Sequence, residues 1–120
     1  MKILIIEDEV SLAEILGEKL KSENFEVNIA TDGEAGLVAA RQYRPDVILL
    51  DLILPKKHGL EVLADLKADE ELKSIPVVVF SNLDSDLNIQ NALGLGAADY
   101  LVKAQFTPQE IVEKIKKYQS

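Results

Sequence analysis

Two groups of carboxylates stand where they contribute nothing to a hydrophobic core. Asp51 directly follows the apolar run Val47–Leu50, and Glu7 and Asp8 directly follow the apolar run Ile3–Ile6. A carboxylate at the exit of a buried strand must stay solvated or find a cation. If the two strands are neighbours, three acids face one pocket and repel one another unless a hard divalent ion lies between them.

The chemistry that fits such a pocket is phosphoryl transfer to a carboxylate. An aspartate can accept a phosphoryl group covalently. Glu7, directly or through water, could hold Mg²⁺ or a similar divalent ion such as Mn²⁺ together with Asp8 and Asp51. Lys103 would offset part of the negative charge, and Ser81 would donate to an oxygen opposite the metal. A metal ion and an ammonium together stabilise phosphoryl transfer electrostatically.

The elements that must position these side chains alternate along the chain. Continuous apolar runs predict buried strands, and apolar residues spaced three or four apart predict amphipathic helices. The predicted strands are Lys2–Ile6, Phe25–Ile29, Asp46–Leu50, Val77–Phe80 and Asp99–Val102. The predicted helices are Val10–Lys21, one capped by Thr31 or Asp32 and running to about Tyr43, Gly59–Asp69, Asp84–Leu95, and one opening at the cap Thr107.

Strict alternation of strands and helices predicts an α/β fold with right-handed crossovers, a doubly wound five-stranded parallel sheet. The alternating strand Phe25–Ile29 belongs at an edge, which the flavodoxin-like order 2-1-3-4-5 satisfies. In such a sheet the binding crevice lies at the carboxyl ends of the strands, where the strand order reverses. Glu7, Asp8, Asp51, Ser81 and Lys103 should therefore face one crevice.

Bulk composition excludes several classes of protein. The chain has 120 residues, no cysteine and a formal net charge of −8, so a thiolate metal site is impossible and direct nucleic-acid binding is disfavoured. Its longest apolar runs are about five residues, against the ~20 that a membrane-spanning helix needs. We therefore expect no membrane insertion, a cytoplasmic location and one domain over residues 1–120.

With these residues in view, the chain resembles a response-regulator receiver domain of two-component signalling, of the stand-alone chemotaxis-regulator type. The matching stretches are ILIIEDE (3–9), DVILLDLILP (46–55), GLEVL (59–63) and GAADYLVK (96–103). The resemblance implies that Asp51 is the phosphoacceptor and that Glu7, Asp8 and the backbone carbonyl of Ile53 complete the metal site. Ser81 and Tyr100 would be the switch residues, and Lys103 would contact the phosphoryl group.

The resemblance also implies partners. A histidine kinase or a phosphotransfer protein would supply the phosphoryl group, and a downstream protein would bind the face made by helix 4, strand 5 and helix 5. Such a domain is not an enzyme in the usual sense, since it catalyses only its own phosphorylation and slow dephosphorylation. The alternative is a receiver-like scaffold that binds partners without being phosphorylated.

Three features depart from the commonest family pattern. Glu7 stands where Asp is frequent, and the basic Lys56-Lys57-His58 precedes Gly59, where a loop ending in Asp-Gly is usual. This loop could attract an anionic phosphodonor or balance the acidic pocket. Asn82 replaces a small residue and could crowd the phosphoryl site or add a hydrogen bond.

Apolar Ile53 and Leu83 should flank the site and shield an acyl phosphate from water, so we expect slow self-dephosphorylation. Other proteins of this topology fit less well. A flavodoxin-type flavin binder needs a Ser/Thr/Gly-rich phosphate loop, where this chain has Glu7-Asp8-Glu9. A haloacid-dehalogenase-type phosphatase needs a second Asp where Ile53 stands. No Walker-type or GxGxxG loop is present, which disfavours nucleotide binding.

Overall fold

A computed structural model describes residues 1–118. Strands and α-helices alternate along the chain, as predicted, with one short 3₁₀ turn (η1) before the last helix. The elements in chain order are β1 (Lys2–Ile6), α1 (Val10–Ser22), β2 (Glu26–Ala30), α2 (Gly33–Tyr43), β3 (Val47–Leu50), α3 (Gly59–Ala68), β4 (Val77–Ser81), α4 (Asp86–Gly94), β5 (Asp99–Val102), η1 (Lys103–Gln105) and α5 (Pro108–Lys116).

The five strands form one parallel sheet in the order β2-β1-β3-β4-β5, which confirms the predicted flavodoxin-like topology. The pairing register matters for function. Ile6, the last residue of β1, pairs with Leu50, the last residue of β3, so these neighbouring strands end at the same level. Ser81 likewise pairs with Val102 at the ends of β4 and β5. Residues that follow the strands therefore emerge together at one edge of the sheet.

Helices cover both faces of the sheet, because successive strand side chains point to opposite faces. Leu4, Ile6 and Leu50 face the buried side chains of α2, α3 and α4. Ile5 and Leu49 face those of α1 and α5. All five of these side chains are at most 1% exposed, and each contributes roughly 1.5–3 kcal/mol by leaving water. The two apolar layers fix the strands whose ends carry the acids.

The edge strand β2 starts one residue later than predicted. Asn24 has φ 70° and turns the chain after α1. The amide of Phe25 then donates to the Leu20 carbonyl at 3.0 Å, so Phe25 packs in the core before β2 begins. Val27 and Ile29 are only half-buried, which confirms the predicted edge position.

Helix boundaries follow their capping residues. The predicted helix Asp84–Leu95 is shorter in the structure, because the Ser85 hydroxyl accepts from the backbone of the first turn and α4 begins after it. The predicted cap at Thr107 is confirmed. Its hydroxyl accepts from the Glu110 amide at 3.2 Å, and the Glu110 carboxylate accepts from the Thr107 amide at 2.9 Å, which is a capping box.

Candidate functional site

Three carboxylates meet at the carboxyl edge of the sheet. One oxygen from each of Glu7, Asp8 and Asp51 lies within 4.8 Å of the others. Glu7 is 1% exposed and Asp51 is 5% exposed, whereas Asp8 faces solvent. The matched ends of β1 and β3 produce this cluster, since the Asp51 amide still donates to the Ile6 carbonyl at 3.0 Å.

Lys103 is the cation of the cluster. Its Nζ lies 2.5 Å from Glu7 Oε1 and donates to Asp51 Oδ2 at 3.1 Å. The ammonium also lies 5.2 Å from the centre of the Phe80 ring, a cation–π contact. Burial alone would lower the pKa of Lys103, but the close contact with the Glu7 carboxylate and the charge of Asp51 outweigh it and raise that pKa. Lys103 therefore stays charged.

Glu7 is an unusual carboxylate. Burial, above all, and the charge of Asp51 raise its pKa to about 7, against the lowering effect of Lys103 and of the Glu9 amide. Oε2 accepts from the Glu9 amide at 3.1 Å. Within the described residues, Oε1 accepts no hydrogen bond of normal geometry despite the closeness of Lys103 Nζ. A buried, incompletely satisfied oxygen in an all-carboxylate set fits a hard divalent ion such as Mg²⁺ or Mn²⁺.

The loop after Asp51 is fixed by close backbone contacts. The Ile53 amide donates to Asp51 Oδ1 at a long 3.4 Å, and the Gly59 amide donates to the Leu52 carbonyl at 2.8 Å. A Cβ atom at Gly59 would lie only 2.3 Å from the Asp51 carbonyl oxygen. Glycine is therefore required there. Ile53 is 53% exposed beside the site, and the role of its carbonyl as a metal ligand remains a prediction.

The basic side chains of this loop bind carboxylates outside the acidic cluster. Lys57 Nζ lies 2.6 Å from Asp65 of α3, and this hydrogen bond raises the pKa of Lys57. Lys56 Nζ lies 3.8 Å from Asp32, the predicted N-cap of α2, whose carboxylate accepts from the Ala35 amide at 2.7 Å. Since both ammonium groups have local partners, their charges tie the loop to α2 and α3.

His58 has a structural contact that the sequence analysis missed. Its Nδ1 accepts from the Leu60 amide at 3.1 Å, so the imidazole caps α3. The signal was available, because His58-Gly59 directly precedes the helical stretch GLEVL. Ser, Thr, Asp or Asn is the commoner residue at such a position, so a histidine there does not indicate a cap by its type alone.

Ser81 and Tyr100 converge on one short piece of backbone. Ser81 is fully buried, and its Oγ accepts from the Leu83 amide at 3.3 Å. The hydroxyl of Tyr100, which is half-buried on β5, donates to the Leu83 carbonyl. Burial, above all, raises the pKa of Tyr100. The loop between β4 and α4 is thus held from both sides, and Asn82 within it is exposed to solvent.

A tight turn at Gly96 closes the carboxyl end of helix α4. Gly96 has φ +106°, and its amide donates to the Leu93 carbonyl while the Ala97 amide donates to the Ala92 carbonyl. These two bonds form a Schellman motif. Elsewhere, no helix within residues 1–118 combines the length and the apolar character needed to cross a membrane.

Comparison with known proteins gives a consistent picture. The sequence model of the family described as response regulator receiver domain matches residues 3–116. DNA-binding response regulator MtrA of Mycolicibacterium paratuberculosis is 36% identical over 115 residues, which are 96% of this chain and 49% of MtrA. The chain spans about half the length of the curated relatives that it matches.

Solved structures agree with the sequence match. The phosphorylated cyanobacterial phytochrome response regulator RcpA superposes with a TM-score of 0.85 at 35% identity, covering 98% of this chain and 91% of that one. The Mn²⁺-bound form of response regulator Rcp1 superposes with a TM-score of 0.85 at 34% identity, covering 97% of this chain and 91% of that one.

Proposed function

The chain belongs to the response regulator receiver domain family, and from that premise we propose that it is a phosphoacceptor signalling domain whose acceptor is Asp51. Receiver domains of response regulators are signalling domains rather than classical enzymes, and they interact with histidine kinases. We further propose that residues 1–120 form a single receiver domain. The observation that carries the proposal is the buried Asp51 within 4.8 Å of Glu7 and Asp8 and hydrogen-bonded to Lys103.

Phosphoryl transfer would proceed by attack of an Asp51 carboxylate oxygen on phosphorus. The new O–P bond forms as the bond between phosphorus and the donor breaks, and the leaving group, an imidazole nitrogen of a phosphohistidine, keeps the electron pair. Oδ2 accepts from Lys103, whereas among residues 1–118 Oδ1 accepts only the long bond from the Ile53 amide, so Oδ1 is the freer nucleophile. Lys103 Nζ, already beside Asp51, would then contact the transferred group.

A divalent ion fits the site for the reasons given above. Glu7, Asp8, Asp51 and the carbonyl of Ile53 would hold it. When bound, Mg²⁺ would neutralise charge on the phosphoryl oxygens during transfer. The description of Rcp1 with Mn²⁺ bound supports this proposal by analogy.

The structural response to phosphorylation of Asp51 would depend on Ser81 and Tyr100. A phosphoryl group on Asp51 adds acceptor oxygens, and the Ser81 hydroxyl, which now accepts from Leu83, would donate to one of them. Since Tyr100 holds the same Leu83 backbone, the change would pass to the loop before α4. We propose that the face made by α4, β5 and α5 presents this change to a downstream protein.

Partners and location follow the family. A histidine kinase or a phosphotransfer protein would supply the phosphoryl group. The net charge of −8 supports a domain that does not itself contact nucleic acid, although a relative of about twice its length is called DNA-binding. A cytoplasmic location stays a prediction.

Slow self-dephosphorylation is supported by the apolar surroundings of Asp51. Ile53 is exposed beside it and Leu83 is half-buried on the opposite loop, so both could restrict attacking water. A phosphoryl lifetime of seconds or less would contradict this part of the proposal.

Intact mass spectrometry tests the function. The protein is incubated with Mg²⁺ and a small phosphodonor, and we expect a gain of one phosphoryl group that EDTA or Asp51→Asn abolishes. Asp46→Asn is the matched control, because it makes the same change just before the same strand and should keep the gain. No gain under any condition would favour a scaffold that acts without phosphorylation.

A further inference from the structure

Lys56 has a backbone conformation that lysine rarely adopts. Its φ is 68°, in the left-handed region that glycine and asparagine occupy at lower cost. The Lys57 amide donates to the Pro55 carbonyl at 2.8 Å, so Lys56 is the central residue of a tight turn over residues 55–57. Turns closed in this way with a positive central φ are rare and strained. A lysine in such a turn points to a task for its side chain.

The turn 55–57 packs against the amino end of helix α2. The Gly33 amide donates to the same Pro55 carbonyl at 3.2 Å. A Cβ atom at Gly33 would lie 2.2 Å from the Lys57 carbonyl oxygen, so the two backbones are in direct contact. The loop that follows Asp51 therefore has its middle part fixed on α2.

The Lys56 side chain joins the same two segments. Its Nζ lies 3.8 Å from Oδ2 of Asp32, whose side chain is 16% exposed. Oδ1 of that carboxylate accepts from the Ala35 amide and caps α2, which holds Asp32 in place. The Lys56 side chain is 63% exposed, and an ion pair this exposed adds little to the stability of the fold. What the pair can change is the position of the turn 55–57 on α2.

The turn 55–57 lies next to the carbonyl proposed to bind the metal. Ile53 is two residues before Pro55. On its other side, the Ile53 amide donates to Asp51 Oδ1 at a long 3.4 Å. Because that bond is long, the position of the Ile53 carbonyl depends on where the turn holds the residues that follow it.

We propose that Lys56 is a positioning residue for the metal site, whose ion pair with Asp32 holds the turn 55–57 on α2 and thereby fixes the Ile53 carbonyl. This role rests on the proposed function, because it concerns the same divalent ion. A direct electrostatic effect of Lys56 would have the opposite sign, since a positive charge disfavours a nearby cation. Loss of Lys56 therefore weakens Mg²⁺ binding if the residue positions the loop, and tightens it if only its charge acts.

Mg²⁺ titration by calorimetry, with urea denaturation of the same proteins in EDTA, tests this role. Lys56→Asn should weaken Mg²⁺ binding about threefold, the value of an exposed ion pair, and Lys56→Gly should weaken it at least as much. Neither variant should lower the urea midpoint, because both relieve the strain of the left-handed conformation. Lys56→Arg keeps the charge and should bind Mg²⁺ as wild type does. Asn24→Gly, at φ 70° between α1 and β2, is the matched control and should leave the dissociation constant unchanged.

A double-mutant cycle identifies the partner of Lys56. Asp32→Asn keeps a capping side chain on α2 but removes the ion pair, so in that background Lys56→Asn should no longer weaken Mg²⁺ binding. In the metal-free protein, hydrogen exchange of the Gly33 amide should be about threefold faster in Lys56→Asn than in wild type.

The outcomes separate this role from the proposed function. If Lys56→Asn binds Mg²⁺ as tightly as wild type or more tightly, with Asp51 still phosphorylated, the positioning role alone is overturned. A lower urea midpoint in Lys56→Asn, with the same weakening of Mg²⁺ binding in the Asp32→Asn background, would also overturn it. A wild-type protein that binds no Mg²⁺ would overturn the proposed function as well.

Discussion

Neutralising Asp8 should stabilise the metal-free protein while abolishing metal binding. Asp8 is exposed, yet it lies beside two carboxylates that the sheet holds in place. Asp8→Asn keeps the shape of the side chain and removes one negative charge. The change therefore tests the electrostatic repulsion at the site without altering how the side chain packs.

The magnitude follows from the charges that Asp8 faces. Glu7 and Asp51 each have an oxygen within 4.8 Å of one on Asp8, and Lys103, in contact with both of them, offsets one of their two negative charges, which leaves a net charge of about −1 facing Asp8. Two unit charges at that separation repel by about 1 kcal/mol in a water-like dielectric and by about 3.5 kcal/mol at an effective dielectric of 20. Because Asp8 is exposed, we expect Asp8→Asn to raise the free energy of unfolding by about 1–2 kcal/mol.

Urea denaturation at pH 8 measures this effect, because Glu7, whose pKa burial raises to about 7, is then largely ionised. In EDTA the variant should be the more stable protein. Mg²⁺ at a hundred times its dissociation constant should stabilise wild type by about 2.7 kcal/mol and leave the stability of Asp8→Asn unchanged. With Mg²⁺, wild type should therefore be the more stable of the two proteins. An Asp8→Asn variant that is less stable in EDTA would refute the reasoning.

Two further predictions concern parts of the chain that support the site. Gly59→Ala should destabilise the fold by about 3 kcal/mol and weaken Mg²⁺ binding, because its Cβ would lie 2.3 Å from the Asp51 carbonyl oxygen. Gly94→Ala is the control and should not destabilise the protein in urea, because within residues 1–118 an added Cβ there would meet no atom within 4 Å beyond its own helix and chain neighbours. The hydrogen bonds from Thr107 lower the pKa of Glu110 below 4.5, so they stabilise the fold above that pH, and this contribution is lost as the pH falls through the lowered pKa. Glu110→Gln should therefore be less stable than wild type at pH 7 and equally stable in acid. A stability difference that persists in acid would contradict the capping argument.

The spacing of apolar residues along the chain predicted most of the fold. The apolar runs of β1, β3 and β4 placed those strands at the centre of the sheet, and the alternation around Val27 placed β2 at its edge. Both features depend on how apolar residues repeat along the chain, so they are visible without coordinates. Element ends were harder to predict, because the turn at Asn24 and the cap at Ser85 each involve local hydrogen bonds that compete with a continued strand or helix.

The site was predictable as a set of residues but not as a set of contacts. Strand exits indicated that Glu7, Asp51 and Lys103 share an edge, because parallel strands end together. Which carboxylate Lys103 contacts most closely depends on the length of the Glu7 side chain and on the turn η1, and neither has a periodic signal. The cap formed by His58 was missed for a similar reason, since a histidine nitrogen seldom fills that position.

Mapping the phosphorylated residue tests the central claim most directly. The protein is phosphorylated with a small phosphodonor and Mg²⁺, the acyl phosphate is reduced with borohydride, and the modified residue is located by tandem mass spectrometry. We predict that homoserine appears at position 51, because Asp51 follows the central strand β3, is buried, and accepts a hydrogen bond from Lys103. Modification at Asp8, Glu7 or His58, with position 51 unchanged, would contradict the account.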